Sequence, residues 1–248
     1  MVLKEDIEKQ GSFLFRWRSY LPLLTLPLFV IALYHSEYLE RVFGDSADKF
    51  WESLCIGISF LGLFIRVLVA GYVPKGTSGR NTRWQVAETL NTTGMYSIVR
   101  NPLYLGNFII VLGILLFVQV WWIVAIGIIG FWFFYERIVF TEEGFLRRKF
   151  GTVFLEWKKK TPVFCPRFKN WQKPNISFSF KAVLRREFST LFSMVASFTF
   201  LDITADFLSE GKLEIELLWA IFFSAGLIIY ITLLILKKKT KILEVEGR

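Results

Sequence analysis

Histidine is almost missing from this chain: His35 is the only one among 248 residues, and cysteine occurs only at Cys55 and Cys165. A Cys/His metal site needs several such ligands at close spacing, so no metal is expected. The two cysteines fall in segments expected on opposite sides of a bilayer, which argues against a disulfide. His35, alone near the end of an apolar run, reads as an interfacial residue with no catalytic role. The Gly/Ser/Thr-rich loop from Pro74 to Thr82 contains Lys75-Gly76-Thr77 but no Gly-Lys-Ser/Thr after a strand, which excludes a phosphate-binding P-loop. Internal repeats and low-complexity tracts are also absent.

What is abundant is apolar surface. Hydrophobic residues make up 54% of the chain and aromatics 18%, and the mean hydropathy is +0.46. Such values, with charges bunched between long apolar runs, mark an integral membrane protein. The net charge of +9 sits beside those runs, so anionic lipid headgroups are expected as its partner and nucleic acid is not.

A crossing helix needs roughly 20 apolar residues. Ser19–Ser36 supplies a first span, kinked at Pro27, with no small-residue cleavage site after it, and reads as a retained signal anchor. Trp51–Val73 supplies a second, interrupted by Arg66. Asn101–Tyr135 carries no charge and would extend about 50 Å as one helix, too long for a single crossing. It is expected to fold back around Gln119–Trp122 into a tight hairpin. Phe188–Leu208 and Leu217–Leu236 complete six expected spans, with Asp202 and Asp206 placed at the outer interface. The expected class is therefore an all-α polytopic membrane protein. Its parts are an anchor at 1–50, a core at 51–172 that includes a polar cytoplasmic segment, and a two-span extension at 173–248. Lys and Arg crowd one set of loops while Arg41, Lys49 and Lys212 are alone in the other, which puts both termini in the cytoplasm, with a bacterial inner membrane as the expected location.

Two segments carry chemistry. The first is Gly94-Met95-Tyr96-Ser97-Ile98-Val99-Arg100-Asn101-Pro102-Leu103-Tyr104-Leu105-Gly106-Asn107. Asn101-Pro102 suits a helix start, so one reading is simply a capped helix with Arg100 at the surface. The second is Glu136-Arg137, Glu142-Glu143 and Leu146 to Gly151. On a continuing helix Glu136, Phe140, Glu143 and Arg147 share a face, and Glu143–Arg147 could be an ordinary i,i+4 pair. Glu136, directly after an uncharged run, sits near membrane depth, where ionisable groups are costly. Arg66 either snorkels to the interface or pairs with a carboxylate inside the bundle.

Together these segments resemble the isoprenylcysteine carboxyl methyltransferase and phospholipid methyltransferase superfamily. Its Gly-x-Tyr-x-x-x-Arg-His-Pro-x-Tyr-x-Gly motif appears as Gly94, Tyr96, Arg100, Pro102, Tyr104 and Gly106. Its Glu-Glu pair and Phe-Gly appear as Glu142, Glu143, Phe150 and Gly151, followed by Trp157 and Pro162 to Pro166. One position departs: Asn101 stands where the family has His, so that position cannot titrate as a base. The resemblance implies S-adenosylmethionine as methyl donor, held by Tyr96, Asn101, Pro102, Tyr104, Gly106, Glu142 and Glu143. It implies catalytic roles for Arg100, Arg137 and Glu143. Physically, Glu142 or Glu143 suits the donor's ammonium, and Arg100 or Arg137 its carboxylate.

The basic clusters Arg147-Arg148-Lys149 and Lys158-Lys159-Lys160 favour a lipid with an anionic headgroup, although the ordinary positive-inside excess is the commoner cause of such clusters. The stretches 78–82 and 90–107 resemble bacterial members grouped with lipid A 1-phosphate methyltransferase, which implies O-methylation of a lipid phosphate. Isoprenylcysteine carboxyl methylation and phosphatidylethanolamine N-methylation are the alternatives within the superfamily. Beyond it stand a sterol-reductase-like enzyme using NADPH and a non-catalytic scaffold.

Overall fold

The computed structural model describes residues 2–18, 20–34, 36, 42–74, 87–211, 213 and 215–245. Expectations that rest on His35, Arg41, Lys212 or the loop beyond Pro74 fall outside those residues. The described chain is helical throughout and contains no strand. Its helices are α1 (Val2–Trp17), α2 (Leu26–Leu33), α3 (Asp45–Tyr72), α4 (Met95–Ile98), α5 (Pro102–Phe117), α6 (Trp121–Lys160), α7 (Phe180–Glu210) and α8 (Leu217–Lys239).

Four of these, α3, α6, α7 and α8, are long and apolar enough to cross a membrane. The expected count of six is thus not met by helix length. The first expected span is broken into a 3₁₀ turn, Leu21–Thr25, and the short α2. Each begins with a proline in its first turn, because proline lacks an N–H and cannot continue a preceding helix. The 16 residues of α5 reach only about 24 Å. The expected hairpin is present as α5–α6, turned at Val118–Val120, where Gln119 adopts φ 60° and its amide donates to Asp48.

Close approach of α3 and α5 organises the bundle. Small residues allow it, as van der Waals packing in a membrane requires. A Cβ on Gly62 would lie 2.6 Å from the Gly106 carbonyl oxygen, and one on Gly113 2.5 Å from that of Cys55. Ser59 Oγ, fully buried between the two helices, donates to the Ile110 carbonyl at 2.9 Å. The apolar core continues through Phe117, Met194, Phe198 and Trp219, which join α5 to α7 and α8. Cys55 is buried, Cys165 exposed, and both are free thiols.

Gly62→Ala is therefore expected to destabilise the protein by about 1–3 kcal/mol, because the colliding atoms are backbone. Gly57→Ala on the same helix meets nothing within 4 Å and should be neutral or slightly stabilising. Thermal unfolding of the two variants in detergent checks this; equal midpoints would contradict the close approach.

The two ends of the bundle differ in charge. Asp45 and Asp48 open α3 where negative charge suits a helix N-terminus. Asp202 is buried and stands near Asp48, Glu52, Asp206 and Glu216 at that same end. No group of three or more His, Cys, Asp and Glu among the described residues could hold a metal ion. The opposite end is basic. There the 30 residues of α6 that precede Gly151, about 45 Å long, project their polar second half beyond a hydrocarbon layer of about 30 Å.

Candidate active site

At the basic end the two chemistry-bearing segments meet. Gly94 adopts φ 60° ahead of the single turn of α4. Val99 is then extended, and Asn101 and Pro102 begin α5. The side chain of Asn101 does not cap α5 as its type suggests; it donates to the Val163 carbonyl at 3.3 Å instead. That contact belongs to a clamp. Residues 162–172 run beside 94–101, with Arg100 N donating to Pro162 O at 2.8 Å and Arg167 N to Ile98 O at 2.9 Å. Gly94 N donates to Gln172 O at 2.9 Å, and Gln172 N donates to Ser97 Oγ at 3.0 Å.

The clamp can form because α6 bends at Gly151, whose φ of 52° and ψ of −121° are open essentially to glycine alone. Space does not select glycine there, since nothing lies within 4 Å of an added Cβ. The bend returns the last turns of α6 to the site. It buries Phe154 and lets Trp157 Nε1 donate to the Tyr96 carbonyl at 3.0 Å.

At the centre, Arg100 Nη1 lies 2.7 Å from Glu143 Oε1, and Lys158 Nζ lies 2.8 Å from Glu143 Oε2. Glu143 is thus taken by Arg100 and Lys158, not by Arg147 as an i,i+4 pair would require. Beside it, the Tyr104 hydroxyl donates to Glu142 Oε1 at 2.8 Å. Burial pushes the Tyr96 hydroxyl upward, so it stays a neutral donor. Gly106 has a different role from ligand contact: a Cβ there would stand 2.7 Å from Arg66 Cγ, so the motif's last glycine lets Arg66 cross α5.

Arg66 resolves as an ion pair. Its Nε donates to Glu187 Oε2 at 2.8 Å and its Nη2 to Glu187 Oε1 at 3.1 Å. Its Nη1 donates to Asn107 Oδ1. Asn107 Nδ2 donates to the Tyr135 hydroxyl at 3.1 Å, and the Tyr135 ring lies 4.6 Å from that of Tyr104. A polar chain therefore runs from Glu187 on α7 to Glu142 on α6.

Glu187 and Tyr135 were not singled out in the sequence, and Asn107 and Lys158 were named only within a longer segment and a basic cluster. Glu187 follows Arg185-Arg186 and reads as part of a solvated basic stretch. The available signal was complementarity: one cation inside one span and one carboxylate opening another. Arg18, just past α1, also lies within electrostatic range of Glu142 and Tyr104.

Two sequence candidates lie elsewhere. Arg137 turns toward α1, donating from Nε to Gln10 Oε1 at 2.9 Å, with its guanidinium 3.7 Å from the Phe133 ring centre. Glu136, whose side chain is 63% exposed, makes only a 3.9 Å approach to Arg137 and does not enter the cluster.

The donor set suits S-adenosylmethionine on a specific ground. Arg100 Nη1 and Glu143 Oε1 are paired with each other at 2.7 Å, and Arg100 Nε is buried without a hydrogen-bond partner. Buried polar groups are rarely left so. An incoming carboxylate would satisfy Arg100 Nε.

Comparison with known proteins agrees with the geometry. Residues 56–153 match the phospholipid methyltransferase family. The chain is 31% identical to the cobalt-zinc-cadmium resistance protein CzcN of Cupriavidus metallidurans over 51% of this chain and 56% of that one. It is 28% identical to the nickel-cobalt-cadmium resistance protein NccN of Alcaligenes xylosoxydans xylosoxydans, over 63% of this chain and 68% of that one. The chain thus matches little more than half the length of the first relative. No solved structure matches. Residues 56–153, which hold Arg100, Glu142 and Glu143, are thus the part of this chain that is similar to the phospholipid methyltransferase family.

Proposed function

We propose that this protein moves a methyl group from S-adenosylmethionine to an anionic oxygen of a membrane lipid, a lipid phosphate of the lipid A 1-phosphate type. The observation that carries the donor assignment is the buried Arg100–Glu143 pair, in which Arg100 Nε is left without a hydrogen-bond partner. When bound, the donor supplies an electrophilic methyl on sulfur, and the lipid oxygen forms its bond to carbon as the carbon–sulfur bond breaks. Arg100 and Glu143 hold the donor's polar ends, and Lys158 pairs with Glu143. Alignment of acceptor and methyl is the main catalytic requirement.

The acceptor assignment draws on Asn101. Without a histidine there, an acceptor that needs deprotonation is poorly served, whereas a phosphate oxygen is already nucleophilic. The basic end of the bundle suits an anionic headgroup and the cytoplasmic leaflet of a bacterial inner membrane. The metal-resistance names of the relatives fit in one further way. Methylating a phosphate removes a negative charge, and so weakens the membrane surface's attraction for divalent cations. The anchor, core and extension work as one unit in this reading, since Arg18 and Glu187 approach the core from either flank.

Mass spectrometry of lipid extracts from expressing and deleted cells tests the acceptor. A phosphate-bearing glycolipid should gain one methyl in expressing cells and lose it in Arg100→Gln. A gain on ethanolamine lipids or prenylated peptides instead would overturn the phosphate assignment.

A further inference from the structure

A cleft of about 670 Å³ separates α1 from α6 on a different face from the site above. Arg137 precedes Glu143 by six residues, about 120° around a helix. The cleft also depends on α1, which lies outside the matched residues 56–153.

The two walls are layered in the same sense. On α1, Lys9 and Gln10 sit one turn from Phe13 and Leu14; on α6, Arg137 sits one turn from Phe133 and Phe134. Both walls thus place cations at one level and apolar side chains at the next. Gly130 opens the floor, since an added Cβ would meet nothing within 4 Å.

Arg137 is held in place before any ligand arrives. Gln10 Oε1 and the Phe133 carbonyl each accept from it, and its guanidinium stacks on the Phe133 ring. Its Nη2 has no partner among the described residues, and no carboxylate among them pairs with Lys9. Of the nearby acids, Glu136 reaches Arg137 Nη1 only at 3.9 Å with its side chain 63% exposed, and Glu8 lies 3.6 Å from Arg148.

We propose that this cleft binds an anionic phospholipid, its phosphate against Lys9 and Arg137 and an acyl chain between Phe13, Leu14, Phe133 and Phe134. Ordinary annular lipid needs only the apolar layer. Paired cations above it add selectivity for negative headgroups. The site stands independently of the methyltransfer reading.

Native mass spectrometry of the full chain in detergent, offered phosphatidylglycerol and phosphatidylcholine, tests this. Phosphatidylglycerol should be retained preferentially, and Lys9→Gln with Arg137→Gln should weaken its retention roughly thirtyfold. Gly130→Leu fills the floor without a collision and leaves both cations in place, so it should also reduce retention while circular dichroism is unchanged. Equal retention of the two lipids, or undiminished phosphatidylglycerol binding by either variant, would overturn the site.

Discussion

Glu143→Gln is expected to lower the affinity for S-adenosylmethionine by about 100-fold, measured by equilibrium binding to purified protein. The substitution keeps the side chain's shape and removes its charge. Two consequences follow. The donor's ammonium loses its anionic partner, and Arg100, whose side chain is only 8% exposed, loses the carboxylate 2.7 Å away. Removing one member of a buried hydrogen-bonded charge pair costs about 2–5 kcal/mol, and each 1.4 kcal/mol is tenfold in affinity. Lys159, exposed on the last turn of α6, serves as the control, and Lys159→Ala should change affinity by less than about twofold. Small and equal effects from both substitutions would mean that Glu143 merely decorates a solvated helix face.

Breaking the Arg66–Glu187 pair should be the most damaging single change to stability. Both side chains are largely buried, 13% and 8% exposed, and the contact is bidentate. Glu187→Ala leaves a guanidinium in the bundle with Asn107 and Thr190 as its remaining partners. Such an uncompensated charge costs about 3–5 kcal/mol. Replacing both partners, Arg66→Met with Glu187→Met, removes the charge along with its mate and should recover much of that loss. The double variant separates ion pairing from packing. If it unfolds at the same temperature as Glu187→Ala, the pair contributes through shape and not charge. Because Asn107 carries the network on to Tyr135, beside Tyr104, the single variant should also loosen Tyr104 against Glu142.

Much of the bundle was legible in the sequence because its signals are local. Asn101–Tyr135 holds no charge and exceeds one crossing, so it had to fold back, and Gln119 is close to where it does. The long apolar runs announced α3, α7 and α8 for the same reason. The first span was misjudged because two prolines within a short distance break a helix where hydropathy alone sees continuity. At the site, the Arg100 and Glu142-Glu143 segments were recognisable through motif spacing. The return of Trp157 and Lys158 to them was not, since it depends on the bend at Gly151, and a glycine's φ is invisible in one sequence. Glu187 was missed because its partner lies 121 residues away, and pairing at that range leaves no periodic trace. Arg137 looked equivalent to Arg100 by charge and by nearness to the glutamate pair. Helical phase turns it toward α1 instead.

In the proposed function Arg100 and Glu143 grip a sulfonium donor. Saturable binding of labelled S-adenosylmethionine to the detergent-purified chain, in parallel with labelled NADPH, tests this. Saturation by S-adenosylmethionine is expected, with loss of that binding in Arg100→Gln and no saturation by NADPH. Saturable NADPH binding with no S-adenosylmethionine binding would contradict it.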